Sequence, residues 1–203
     1  MSSATREEYT WQCPQCAGRR AVAATSPVAF SLALCLTGPD RSPRLAPMTA
    51  EAQLIAQLVA RGWTLALAES CTGGMVAQRV TSVPGASSAF LGGIVAYAND
   101  IKRDVLGVPP ATLAAFGAVS AETALAMAQG ARRLLHTSLA AAVTGIAGPG
   151  GGTDAKPVGL VFVAVAGPGG ETTERFVFAG DRDAIRAQAC EAVLRLLLAV
   201  CRT

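Results

Sequence analysis

Histidine occurs once in these 203 residues, at position 136, and lysine only twice, at 102 and 156. A histidine-based triad therefore has a single candidate imidazole. It falls at the end of a helical pattern, beside a strand entering the opposite edge of a sheet, which argues against that chemistry. Aromatic residues are also sparse, at 5%, which weakens any stacking platform for single-stranded nucleic acid. The formal net charge is only +3, and the 17 basic residues are spread along the chain, without the clustered stripe of a nucleic-acid footprint. No apolar run reaches the roughly 20 uninterrupted residues of a membrane span. What remains is a chain that is 51% hydrophobic, long enough to bury one substantial core and better suited to one domain than to two.

The six cysteines stand at 13, 16, 35, 71, 190 and 201. Three of them fall in helical patterns or strand-to-helix turns, unlike the loop framework of a small secreted scaffold, so a reducing cytoplasmic compartment is expected. Cys13 and Cys16 have metal-knuckle spacing, but no second pair completes a four-ligand zinc site, and no metal is expected there. Residues 1–47 are rich in Ser, Pro, Ala and Arg and lack sustained periodicity, so they read as a poorly structured extension. Arg19 and Arg20 precede an apolar stretch, as in an export signal. Pro27, the late arginines and the lack of a small-residue cleavage site count against one. Met48 is followed at once by a well-formed helix start, and the natural protein is expected to begin there.

From 48 to 203 the pattern alternates between helix and strand. Thr49 suits a helix N-cap; Leu54, Ile55, Leu58 and Val59 share one face, and Gly62 supplies the stop. The segment 63–68 reads as a buried strand, 73–81 as a helix with Met75, Val76 and Val80 inward, and 90–97 as the next strand. This is a βαβ unit with parallel strands. Ser120 caps a helix through Leu135, with Met127, Ala131, Leu134 and Leu135 facing in, and a strand follows over 139–143. The runs 158–166 and 172–178 flank Gly167-Pro168-Gly169-Gly170 as an antiparallel hairpin. Asp181 caps a closing helix whose core stripe is Ile185, Ala189, Val193, Leu197 and Val200. The expected fold is a three-layer α/β/α sandwich on a mixed, mainly parallel sheet with one antiparallel hairpin.

The segment Ala68-Glu69-Ser70-Cys71-Thr72-Gly73-Gly74 leaves a buried strand and opens a helix. A serine there projects at the carboxyl end of the sheet, where open α/β folds bind ligands, and the Thr72, Gly73 and Gly74 amides point toward it as oxyanion donors. An ordinary capped helix start fits the spacing equally well. Cys71 reads as a small buried hydrophobe. Tyr97 and Lys102 lie where the adjacent parallel strand ends, so Ser70 and Lys102 are expected to share one crevice. A lysine whose pKa is lowered by burial can act as the base for a serine nucleophile. The alternatives are a solvated Lys102 and a core Tyr97. The glycine-rich segment from Thr144 through Gly145 and Gly148 to Thr153 lacks the Walker and dinucleotide fingerprints. Either it lets amides approach a phosphate, with Lys156 and Arg182 adding charge, or it is a plain turn.

These motifs, together with Gly117-Ala118-Val119-Ser120, Lys156-Pro157-Val158-Gly159 and Gly180-Asp181-Arg182, occur in an order that closely resembles the CinA C-terminal-domain family over 48–203. The resemblance implies hydrolysis of the carboxamide of nicotinamide mononucleotide to nicotinate mononucleotide and ammonia, with no metal or other cofactor. It implies Ser70 as nucleophile, Lys102 and Tyr97 as activating groups, Thr144 and the glycine loop lining the nucleotide site, and Arg182 as phosphate partner. Some members carry an added N-terminal nucleotide-pyrophosphatase domain, and this chain resembles the stand-alone form. A homo-oligomer, specifically a dimer, is implied by resemblance alone. The alternatives are a non-catalytic nucleotide-binding or competence-related regulatory module, and a serine amidase acting on another small carboxamide.

Overall fold

The computed structural model describes residues 48–202. The expectations for residues 1–47, including Cys13, Cys16, Cys35 and the export signal, lie outside the described residues.

The chain runs α1 (Ala50–Arg61), β1 (Leu65–Glu69), α2 (Met75–Thr81), a 3-10 turn at Ala86–Ser88, β2 (Phe90–Val95), α3 (Asn99–Asp104), α4 (Pro110–Phe116), α5 (Ala121–Leu134), β3 (Leu139–Gly145), β4 (Leu160–Gly167), β5 (Gly170–Val177) and α6 (Arg182–Val200). The expected caps form as side-chain bonds. Thr49, Ser120 and Asp181 accept from the amides of Ala52, Thr123 and Ala184, each satisfying a donor that the helix itself leaves open. Gly62 ends α1 in the left-handed conformation.

The sheet order is β2-β1-β3-β4-β5. β2, β1 and β3 are parallel, β4 runs against them, and β5 turns back in a hairpin to share their direction. Strand alternation sorts the core into two unlike faces. Leu65, Leu67, Leu139, Val143, Val161, Val163 and Val165 point to the side covered by α1, α2 and α6. Ala66, Ala68, Ala140, Ala142, Ala164 and Ala166 point to the side covered by α5. Branched side chains hold the first helix layer at full distance, whereas the alanine face lets α5 lie close. Leu54 and Leu58 of α1 are fully buried, a contribution of about 1.5–3 kcal/mol each. α5 approaches the Leu106 backbone so closely that a Cβ at Gly130 would sit 1.9 Å from the Leu106 carbonyl oxygen.

Several boundaries and orientations differ from expectation. Val59 and Leu134 are exposed, because each lies just past the edge of its helix's buried stripe near the C-terminus. α4 was not foreseen: its only start signal is Pro110 at the first turn, and none of its residues is buried enough to impose a strong periodicity. Among the described residues, no helix is long and apolar enough to cross a membrane.

Candidate active site

β1 has β2 on one side and β3 on the other, so the chain reverses its direction of travel across the sheet at β1. Open α/β sheets bind ligands beyond the strand ends at such a point. Three connections meet there: the turn after β1, the segment between β2 and α3, and the glycine-rich loop after β3. They enclose a cavity of about 270 Å³ lined by Ser70, Cys71, Tyr97, Asn99, Lys102, Ala118, Val119, Arg182 and the segment from Thr144 to Gly151. His136 does not line it.

The Ser70 backbone is pinned as β1 leaves the sheet. Its amide donates to the Val143 carbonyl at 3.0 Å, and the preceding Glu69 carbonyl accepts from the Ala96 amide at 2.7 Å. Ser70 is thereby held between the two neighbouring parallel strands, with a side chain that opens on the cavity although the residue is only 8% exposed. Lys102 arrives from α3 and is 2% exposed. Its Nζ lies 3.1 Å from Ser70 Oγ, 2.8 Å from the Ala96 carbonyl and 3.2 Å from the Tyr97 carbonyl. Burial lowers its pKa below the usual lysine value, since desolvation disfavours the ammonium. A neutral amine has two N–H donors and one lone pair. The two carbonyls can take both donors, which leaves the lone pair for the Ser70 hydroxyl.

The expected oxyanion donors need correction. The Gly73 amide donates to the Ser70 carbonyl, and the Gly74 amide donates to Glu69 Oε2 at 2.9 Å. Glu69 is the residue that sequence reasoning missed. Its carboxylate folds back over the turn and accepts from the Thr72 hydroxyl and from the amides of Gly74, Val76 and Ala77. Those are the open donors of the α2 N-terminus, so the acid caps the helix from within the sheet. The available signal was a glutamate ending an otherwise apolar strand, directly before a serine turn. Among the described residues, the Cys71 and Thr72 amides donate to no main-chain carbonyl. Desolvation pushes the Cys71 thiol up to about 11, in keeping with a buried, protonated side chain.

Tyr97 also sits differently. Its carbonyl contacts Lys102, but the residue is 60% exposed, outside the core and with no bond to Ser70. The phenol oxygen is 3.0 Å from an Arg182 guanidinium nitrogen, at the cavity rim. Arg182, in the first turn of α6, also donates to the Gly148 carbonyl at 2.8 Å, and so ties the glycine loop to the β2–α3 segment. Thr144 is buried and donates to the Ala118 carbonyl. Lys156 does not line the cavity; its Nζ donates to the carbonyls of Phe116 and Val119. Among the described residues, no group of three or more His, Cys, Asp or Glu is placed to hold a metal.

Comparison with known proteins identifies the family. The family model for the CinA C-terminal domain matches residues 48–201. A CinA-like protein of Anaeromyxobacter sp. (strain Fw109-5) is 55% identical over 146 residues, 72% of this chain and 36% of the relative. One from Geobacter sulfurreducens is 58% identical over 126 residues, 62% of this chain and 30% of the relative. The chain thus spans about a third of the length of these curated relatives. Among solved structures, the competence/damage inducible protein CihA from Agrobacterium tumefaciens superposes with a TM-score of 0.72 at 42% identity, covering 77% of this chain and 98% of that one. A CinA superfamily protein from Enterobacter cloacae gives 0.72 at 31% identity, covering 77% of this chain and 95% of its own. The chain belongs to the CinA family, through its C-terminal domain.

Proposed function

We propose that this protein hydrolyses the carboxamide of nicotinamide mononucleotide, releasing ammonia and nicotinate mononucleotide. The observation that carries the reading is the buried Lys102 Nζ, 3.1 Å from Ser70 Oγ and held by two main-chain carbonyls at the head of an open cavity. A surface lysine has no use for such an arrangement. A serine that must lose its proton near neutrality does.

In the proposed cycle, Lys102 takes the Ser70 proton as Oγ bonds to the amide carbon. The amides of Cys71 and Thr72, which donate to no main-chain carbonyl among the described residues, stabilise the oxyanion in the role Gly73 and Gly74 are not placed to fill. Lys102 then returns that proton to the nitrogen as the C–N bond breaks, and ammonia leaves. Water attacks the resulting ester, giving a proton to Lys102, and the C–Oγ bond breaks as Ser70 regains its proton. Arg182 meets the phosphate at the rim, and Thr144 with the glycine loop lines the nucleotide.

An ammonia-release assay with the purified protein tests this directly. Turnover of the mononucleotide is expected from the wild-type protein and not from Ser70→Ala. A wild-type protein that binds the mononucleotide without releasing ammonia would overturn hydrolysis and leave a non-catalytic nucleotide-binding module. Turnover of plain nicotinamide in preference to the mononucleotide would replace the substrate.

A further inference from the structure

The connection between α4 and α5 forms one wall of the cavity through Ala118 and Val119. Four consecutive carbonyls of this segment are taken by side chains. Phe116 and Val119 accept from Lys156 Nζ at 2.6 and 2.8 Å. Gly117 accepts from the hydroxyls of Ser120 and Thr123, and Ala118 accepts from Thr144 Oγ1 at 2.8 Å. Among the described residues, the Ala118 and Val119 amides donate to no main-chain carbonyl. A segment whose carbonyls are all engaged has only its donors to offer a ligand.

Lys156 stands at the far end of the glycine loop, whose residues Ile146 to Gly151 form the facing wall. The loop is anchored just before Lys156 by the paired main-chain bonds between Thr153 and Lys156. The lysine therefore reaches across from one wall to the main chain of the other. Gly117 is shaped to receive it: its φ is +75°, and a Cβ there would lie 3.2 Å from Lys156 Nζ. The fold thus contains two cation clamps on the same loop, Arg182 on the Gly148 carbonyl and Lys156 on the α4–α5 segment.

We infer that Lys156 is a positioning residue that sets the spacing of the two cavity walls, and that the main-chain amides of Ala118 and Val119 form a subsite for an acceptor oxygen of the bound nucleotide. This rests on the proposed function for the identity of the ligand but not for the clamp itself. Lys156 touches neither Ser70 nor Lys102, so it acts on binding and leaves the bond-breaking step alone. Without the tether the walls must be ordered by the ligand, which costs affinity.

The test compares wild type, Lys156→Met and Lys156→Arg by three readouts: ammonia-release kinetics, calorimetric Kd for nicotinate mononucleotide, and amide hydrogen exchange. Lys156→Met is expected to raise KM and Kd by about tenfold with kcat within about twofold. Arginine, which can also span two carbonyls, is expected to recover most of that loss. Exchange should quicken in both 116–120 and 146–151 and not in α1 or α6. An unchanged Kd and KM in Lys156→Met overturns the inference. So does a fall in kcat that follows loss of folded protein and is not rescued by arginine. Should the wild type bind the mononucleotide but release no ammonia, the hydrolysis reading fails while Kd still decides the role of Lys156. Should it bind no mononucleotide, the subsite fails, and exchange alone decides the clamp: unchanged rates in the two walls remove it.

Discussion

Lys102 Nζ and Ser70 Oγ lie 3.1 Å apart although their residues are 32 positions apart in the chain, Ser70 directly after β1 and Lys102 on α3. Replacing Ser70 by alanine removes only a hydroxyl at the cavity edge, so the fold should persist. Ammonia release from nicotinamide mononucleotide is expected to fall by about four orders of magnitude, read in a coupled assay beside an unchanged circular dichroism spectrum. Activity near the wild-type level would remove Ser70 from the reaction.

Lys102→Met should reduce kcat by about a hundred- to ten-thousand-fold, the usual range for losing a general base. The lysine also predicts a pH signature. Its folded-state pKa lies below the unfolded value, so between the two the unfolded chain binds more protons and stability rises with pH. The penalty for the buried ammonium is fully present below the lowered pKa and is relieved as pH climbs toward the unfolded lysine value, about 10.4. Urea titrations near neutrality and at alkaline pH should therefore show wild type gaining stability relative to Lys102→Met as pH increases. A gain in the opposite direction would contradict the burial argument.

Glu69→Ala should destabilise the protein by about 2 kcal/mol or more, because the amides of Gly74, Val76 and Ala77 lose their common acceptor at once. Chemical denaturation gives the number, and activity should fall with it as the Ser70 turn loosens. A variant of wild-type stability would show that water replaces the carboxylate.

Arg182→Ala should weaken binding of the mononucleotide by about ten- to a hundredfold, the loss of a charge-assisted bond to phosphate. The same change should leave the affinity for the phosphate-free nucleoside nearly untouched. Calorimetry with the two ligands separates the phosphate contact from a general opening of the glycine loop, because loss of the Gly148 tether would weaken both.

Gly130→Ala should cost about 1–3 kcal/mol, since the new methyl meets the Leu106 carbonyl and α5 must move off the alanine face of the sheet. Thermal melts check this. An unperturbed midpoint would mean that the α3–α4 connection yields freely.

Much of the fold was legible because its signals are local. Thr49, Ser120 and Asp181 announce helix starts through short-range bonds that need no distant partner. Short apolar runs bounded by turn residues mark the strands, and the parallel βαβ unit already brings the Ser70 and Lys102 turns to one end of the sheet. The fates of particular donors were not legible. Whether the Gly74 amide faces a ligand or a carboxylate depends on how the Glu69 side chain folds back, and no periodicity records that. Tyr97 was expected either to help activate Ser70 or to bury its ring as a strand residue, yet β2 ends at Val95 and Tyr97 is exposed.

Composition and pattern by themselves determined a chain with an α/β core, too little histidine for an imidazole triad, and a serine and a lysine each at a strand's carboxyl end. Tertiary structure alone decided which main-chain donors are already engaged, that Lys156 Nζ donates to the Phe116 and Val119 carbonyls outside the cavity lining, and that Arg182 pairs with Tyr97. The division has one physical reason. Helix and strand periodicities follow from backbone geometry a few residues at a time. The partner of a single N–H or carbonyl is settled by side chains that converge from distant parts of the chain.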